Sequence, residues 1–240
     1  WKVIHYLEQQ SIDVIDLAAL GQAVAQGDFF SSNIPSGYGL GSSGAVTAAL
    51  YDRFALRKEE ADLKKLRSEL AIIESCFHGQ SSGLDPLVSF LKKGILFQNG
   101  KIDVLANQSQ RLDGFFLLDT QIRRETSLLV ASYKSMCQEE TYKQRIEAEL
   151  IPLVEDAIDS FLKKDNKDML ALIHHIGFFQ WKYFAPMIPE RFKTAWLSAI
   201  ASSHTKLKLC GAGGGGFILG YSTDWEASKK LLKAHPLSAL

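Results

Sequence analysis

The chain has 240 residues, 46% of them hydrophobic, enough to bury one large core or two smaller ones. Its 27 basic and 27 acidic side chains cancel, which gives no pull toward nucleic acid or an anionic membrane. The three cysteines, Cys76, Cys137 and Cys210, are far apart and form neither a C-x-x-C pair nor a disulfide framework, so a reducing cytoplasm is expected; no apolar run approaches the ~18 residues of a membrane helix.

In chain order, GDFFSSNI (27–34) reads as a strand leading into a glycine-rich segment, PSGYGLGSSGAV (35–46). Ser42 and Ser43 then open a helix through about Phe54, rich in small residues for close packing. Leu63, Leu66, Leu70, Ile73 and Phe77 follow at 3-4-3-4 spacing, the signature of an amphipathic helix that Gly79 can stop. SGLDP (82–86) precedes a short apolar segment to Gly94, and two strands flank the hairpin signal Asn99-Gly100. GFFLLDT (114–120) reads as a buried strand. From about Glu125 to Ile200 the pattern is helical, with breaks near Asp165–Asn166 and Pro186–Pro189. KLKLC (206–210) and FILGYS (217–222) read as strands around GAGGGG, and a last helix runs from about Asp224. This order predicts an α+β fold in two subdomains, 1–108 and 109–240.

The first glycine loop literally fits G-x-G-x-x-G from Gly39 to Gly44, and Glu59 stands where a dinucleotide-binding acid is expected. Glu59 lies in a charged helix start, however, so the βαβ unit is missing. The protein-kinase loop also matches through Val46, yet the chain has no H-R-D or D-F-G, and no Walker lysine is present. What remains is an anion cradle: consecutive backbone N–H groups at a helix N-terminus, with Ser42 and Ser43 able to cap the helix or to reach a metal or phosphate. A glycine turn before a capped helix, with no ligand, fits equally well. In the second loop, each glycine costs about 0.5–1 kcal/mol relative to alanine in regular structure. Four in a row therefore mark either a flexible hairpin or a backbone wall packed against the first loop or its ligand.

Two acids carry candidate chemistry. Glu74 lies roughly 70° off the centre of its helix's apolar stripe, and Glu69 lies about as far off on the other side, so helix geometry does not choose between them. Asp85, followed by Pro86, reads first as an N-cap with Gly94 closing the helix; a capping acid is also held rigidly enough to catalyse. His174 and His175 face different sides of a helix, and the cluster Phe178, Phe179, Trp181, Tyr183 and Phe184 reads as core.

Taken together, these stretches resemble a known family. PSGYGLGSSGA resembles the second motif of the GHMP kinases, and KLCGAGGGGF resembles their third. ESCFHGQSSGLDP resembles the mevalonate kinase branch, with Glu74 and Asp85 eleven residues apart, and LLDTQIRRETSLLV resembles the opening of that branch's second domain. The resemblance implies a two-subdomain GHMP kinase fold, with an N-terminal part like ribosomal protein S5 domain 2 and a ferredoxin-like, helix-rich C-terminal part. It implies ATP and Mg²⁺ as cofactors. Pro35, Gly37, Gly39, Leu40, Gly41, Ser42, Ser43 and Gly44, with Gly211, Ala212, Gly213 and Gly214, would bind the nucleotide. Ser43, with Ser42 as the alternative, and Glu74 would hold the metal, and Asp85 would be catalytic. His78, Gly79, Ser82, Gly83 and Thr120 would lie near a mevalonate-like substrate. A phosphomevalonate or sugar kinase, with Arg123 and Arg124 forming an extra basic pocket, and an inactive binding protein of the same fold are the alternatives. A homodimer is implied by the resemblance alone, with no nucleic-acid or membrane partner. The family's first motif, a Pro-Gly-Lys segment, is absent and is expected upstream of Trp1.

Overall fold

The computed structural model describes residues 1–10, 13–35, 37–58, 62–105, 112–124, 126–163 and 166–240. The chain divides into two compact units: Trp1–Pro35 with Gly41–Gln108, and Ser36–Leu40 with Ser109–Leu240. The first glycine loop is thus shared by the chain between both units.

The N-terminal unit is helical. It contains α1 (Lys2–Gln10), α2 (Leu17–Ala25), α3 (Ser42–Phe54), α4 (Leu63–His78) and α5 (Leu84–Leu91), then the antiparallel hairpin β1 (Ile95–Gln98) and β2 (Lys101–Val104). The hairpin turns on Asn99 and Gly100, both at positive φ, as a two-residue turn between right-twisted strands demands. Asp62 caps α4 by accepting from the Lys64 and Lys65 amides. The stripe of α4 buries Leu66, Leu70 and Ile73 completely, against Leu50, Tyr51 and Phe54 of α3 and Leu87 of α5. The expected strand at 27–34 does not form. A strand needs a neighbouring ladder, and among the described residues none pairs with this segment, which leaves Phe29 84% exposed.

The C-terminal unit holds β3 (Phe115–Asp119), α6 (Thr126–Met136), α7 (Glu140–Arg145), a π-helical turn (Ile146–Leu150), α8 (Ile151–Lys163) and α9 (Asn166–Tyr183). Two short 3₁₀ turns lead to α10 (Lys193–Ala201), β4 (Thr205–Leu209), β5 (Phe217–Ser222), α11 (Trp225–Leu231) and β6 (Leu237–Ala239). The strands form one antiparallel sheet in the order β4-β5-β3-β6. β6, which follows Pro236, has no counterpart in the sequence reading. One sheet face carries Phe116, Leu118, Leu207, Leu209 and Ile218 into a core with Phe192 and Trp196. The other packs Phe115 and Tyr221 on Met169 and Ile173 of α9. α9 also covers the sheet edge, where Gln180 Oε1 accepts the Leu209 amide at 2.8 Å.

Candidate functional site

In the N-terminal unit the site is built around the start of α3. Gly41, at φ 67°, occupies the cap position, and the helical ladder begins with the Ala45 amide donating to Gly41 O at 2.8 Å. The expectation that Ser42 or Ser43 caps this helix is corrected. The left-handed Gly41 turns the chain directly into helix, so both serines already belong to the first turn and no side chain caps it. Ser43 Oγ instead donates to Glu74 Oε1 of α4 at 2.9 Å. Glu74 is only 5% exposed, and its other oxygen, Oε2, accepts from Ser81 Oγ. Glu69 points elsewhere: its carboxylate accepts from Tyr51 Oη at 2.7 Å.

Asp85 is not the cap that its Pro86 neighbour suggested. α5 begins at Leu84 with Gly83, at φ 73°, as its cap, and it ends at left-handed Lys92 rather than at Gly94. Proline is tolerated in a helix's first turn, so Pro86 does not mark where this helix starts. The consequence is chemical. The Asp85 carboxylate is exposed, and it makes no hydrogen bond or ion pair among the described residues. α5 approaches α3 closely: a Cβ on Gly44 would sit 2.8 Å from the Asp85 carbonyl carbon and Pro86 N, and one on Gly41 would sit 3.4 Å from Asp85 Cβ. Glycines in the first loop thus bring Asp85 beside the N-terminal end of α3, where Ser43 and Glu74 also meet.

This donor set fits a hard cation that takes few protein oxygens. Ser43 Oγ and Glu74 Oε1 are hydroxyl and carboxylate oxygens in hydrogen-bond contact, the type Mg²⁺ prefers. Among the described residues no three His, Cys, Asp or Glu side chains cluster as an all-protein metal cage.

The remaining candidates are distributed as follows. Pro35 and Leu40 are exposed. His78 ends α4, and its side chain, like Glu59, lies outside the described residues. Gly79, at φ 76°, and Ser82 are exposed on the turn after α4. Gly83 is buried against α4, where a Cβ would come 3.0 Å from Ala71 Cβ. Its place is explained by packing.

In the C-terminal unit, Gly37 O accepts the Arg124 amide at 2.9 Å, and the Tyr38 ring meets Phe217 at 5.6 Å. The Arg124 guanidinium lies over Gly39, donates to Cys210 O at 2.9 Å and stands 3.7 Å from where a Gly211 Cβ would be. Arg124 Nε is buried without a partner among the described residues. Burial pushes the Lys208 ammonium below its usual range. Burial raises the Cys210 thiol, while Lys208 and Arg124 pull it the other way.

The second glycine loop is packed rather than loose. The Gly214 amide donates to Met187 O at 2.6 Å and the Gly216 amide to Ile122 O at 2.8 Å. A Cβ on Gly213 or Gly215 would lie 2.6 Å from Met187 O or Ile122 O, respectively. Thr120 is fully buried, and its amide and hydroxyl both donate to Gly216 O, at 2.9 and 2.7 Å. Thr120 therefore braces this loop, a role that sequence spacing does not reveal. Gly211 is exposed and Ala212 half-buried, whereas Gly213 is buried and Gly214 is turned toward Leu129. The sequence gives Ser81 no role and offers Arg124, with Arg123, as an extra basic pocket for a phosphorylated substrate. Both lie within stretches that carry the resemblance, and each acquires its partners only through tertiary structure.

Residues 2–94 match the family model described as the GHMP kinases N terminal domain. Comparison with curated protein sequences finds no match. Among solved structures, the chain is similar to the mevalonate kinase of L. major in complex with R-mevalonate, with 20% identity and a TM-score of 0.56 over 81% of this chain and 61% of that one. It is similar to the Lin0012 protein of Listeria innocua, with 20% identity and a TM-score of 0.64 over 86% of this chain and 67% of that one. It is also similar to the mevalonate kinase of methicillin-resistant Staphylococcus aureus, with 21% identity and a TM-score of 0.54 over 94% of this chain and 78% of that one. The chain thus spans 61% of the length of the L. major enzyme. The chain thus matches the GHMP kinases N terminal domain over residues 2–94 and shares the α+β fold of these structures.

Proposed function

We propose that this chain carries the phosphoryl-transfer residues of an ATP-dependent small-molecule kinase whose acceptor is the primary hydroxyl of mevalonate. The observation that carries the reading is the meeting, at the N-terminal end of α3, of the Ser43–Glu74 pair with an Asp85 carboxylate that has no structural partner among the described residues. The mevalonate part rests on the likeness to mevalonate kinases, one of them solved with R-mevalonate.

Phosphoryl transfer is a matter of alignment and charge neutralisation more than of covalent chemistry by the protein. The first-turn amides of α3, with the positive end of its dipole, receive the nucleotide's phosphates. Ser43 Oγ and Glu74 Oε1 would hold Mg²⁺, which would neutralise phosphate charge when bound. Asp85 accepts the proton of the attacking hydroxyl, and its exposed carboxylate is open to an incoming substrate. Gly44 serves this chemistry indirectly, because a side chain there would push α5 and Asp85 away.

The experiment is mevalonate-dependent ADP release by the full-length gene product with Mg²⁺-ATP, beside its Asp85→Asn variant. ADP release that vanishes in the variant supports reaction, acceptor and base together. ATP binding without ADP release on mevalonate, followed by activity on a phosphorylated or sugar acceptor, would keep the kinase and replace the substrate. No turnover on any acceptor would leave a binding protein.

A further inference from the structure

Ser81 lies within the stretch ESCFHGQSSGLDP without a role assigned by the sequence, and two hydrogen bonds hold it in the N-terminal unit. Its oxygen accepts the Gly83 amide at 2.9 Å, and its single hydroxyl proton goes to Glu74 Oε2. The two carboxylate oxygens of Glu74 are therefore held from opposite sides. Oε1 takes the Ser43 hydroxyl from α3, and Oε2 takes the Ser81 hydroxyl from the turn between α4 and α5. The side chain is buried, at 5% exposure.

We infer that Ser81 is a positioning residue that makes Glu74 a one-oxygen ligand, and so sets the site's preference for Mg²⁺ over Ca²⁺. This rests on the kinase reading above. The physical basis is the difference between the two ions. Ca²⁺ is larger, takes 6–8 oxygens and readily accepts both oxygens of one carboxylate, whereas Mg²⁺ demands a tight octahedron fed by single oxygens and water. With Oε2 committed to Ser81, Glu74 offers only Oε1 beside Ser43. Removal of the Ser81 hydroxyl frees Oε2 to turn toward the cation, which is worth more to Ca²⁺ than to Mg²⁺.

The test is calorimetric binding of ADP in saturating Mg²⁺ and, separately, in saturating Ca²⁺. It compares the wild-type chain with Ser81→Ala, Ser81→Cys and Ser81→Thr, with thermal melts confirming that each variant folds. Outer-sphere partners of metal ligands typically control 10- to 100-fold in metal affinity, so the Mg²⁺-over-Ca²⁺ preference is expected to shrink about tenfold in Ser81→Ala and Ser81→Cys and to return in Ser81→Thr. A purely structural role for Ser81 would weaken both complexes alike and leave the ratio unchanged. An unchanged ratio in Ser81→Ala and Ser81→Cys, in a protein where Glu74→Gln does change it, overturns the Ser81 assignment and leaves the kinase reading standing. Binding by the wild type that is indifferent to the metal and to Glu74→Gln overturns both.

Discussion

Glu69 and Glu74 sit on one helix, five residues apart, and have opposite fates. Glu69 accepts from Tyr51 and takes part in holding α3 to α4, while Glu74 is drawn between Ser43 and Ser81. Glu74→Gln keeps one acceptor oxygen but loses the charge. It is expected to raise the Mg²⁺ concentration needed for half-maximal activity by about 10- to 100-fold. An unaltered Mg²⁺ titration would remove Glu74 from the metal site. Asp85→Asn tests the neighbouring role. Because Asp85 caps nothing and pairs with nothing among the described residues, its amide variant should melt like the wild type and still bind Mg²⁺-ATP. Loss of a positioned general base should lower turnover by about 10²–10⁴-fold. A drop in melting temperature of the same variant would point to a structural role instead. Both acids were legible in the sequence as candidates. The choice of Glu74 over Glu69, and the release of Asp85 from capping, depend on Ser43, Tyr51 and Gly83, which lie elsewhere in the chain or adopt backbone angles that spacing does not encode.

Helix contacts set how much the site tolerates. α3 meets α5 so closely at Gly44 that even a methyl group lies within 3 Å of the Asp85–Pro86 backbone. Gly44→Ala is therefore expected to cost about 1–3 kcal/mol by overpacking, and to lower kcat more than it raises the KM for ATP, because it displaces Asp85. Urea unfolding read beside steady-state kinetics checks this, and an unaffected kcat would separate α5 position from catalysis. In the second loop, Gly216→Ala forces a side chain into a left-handed conformation at φ 69° against the Tyr38 backbone, with an expected loss of about 1–3 kcal/mol. On α9, burial holds His174 below its usual pKa, with Lys206 and His175 adding to the effect, and its buried Nδ1 has no partner among the described residues. The unfolded chain then takes up a proton at a pH where the folded chain does not, so stability falls as the pH drops below about 6.5 toward the folded value. His174→Gln should flatten the stability profile in that acidic window and change nothing above it; an identical acid slope in the variant would assign the loss to other groups.

At the scale of the molecule, each hydrophobic core draws its residues from a single unit. Leu66, Leu70 and Ile73 serve the N-terminal unit, while Phe116, Phe192 and Trp196 serve the C-terminal one. Leu70→Ala removes a fully buried side chain and is expected to cost about 2–5 kcal/mol. Hydrogen exchange should show lost protection in α3, α4 and α5 with β3, β4 and β5 retained, whereas a uniform loss would mean that the units unfold together. The sequence by itself determined the local grammar: the 3-4 stripe of α4, the Asn99-Gly100 hairpin, the buried run of β3, the strands around GAGGGG, and the glycine loop that opens α3. These follow from periodicity and from φ preferences, which act over a few neighbouring residues. Tertiary structure decided the rest. The segment 27–34 forms no strand because among the described residues no ladder pairs with it. The four glycines from Gly213 to Gly216 are required because the Met187, Ile122 and Tyr38 backbones and the Leu129 side chain press on them. Glu74 was selected by a hydroxyl 31 residues away, which no local pattern could point to. Hydrogen bonds and close packing between distant segments depend on how the chain folds back on itself, and the Ser43–Glu74 pair and the approach of α5 to α3 are such contacts.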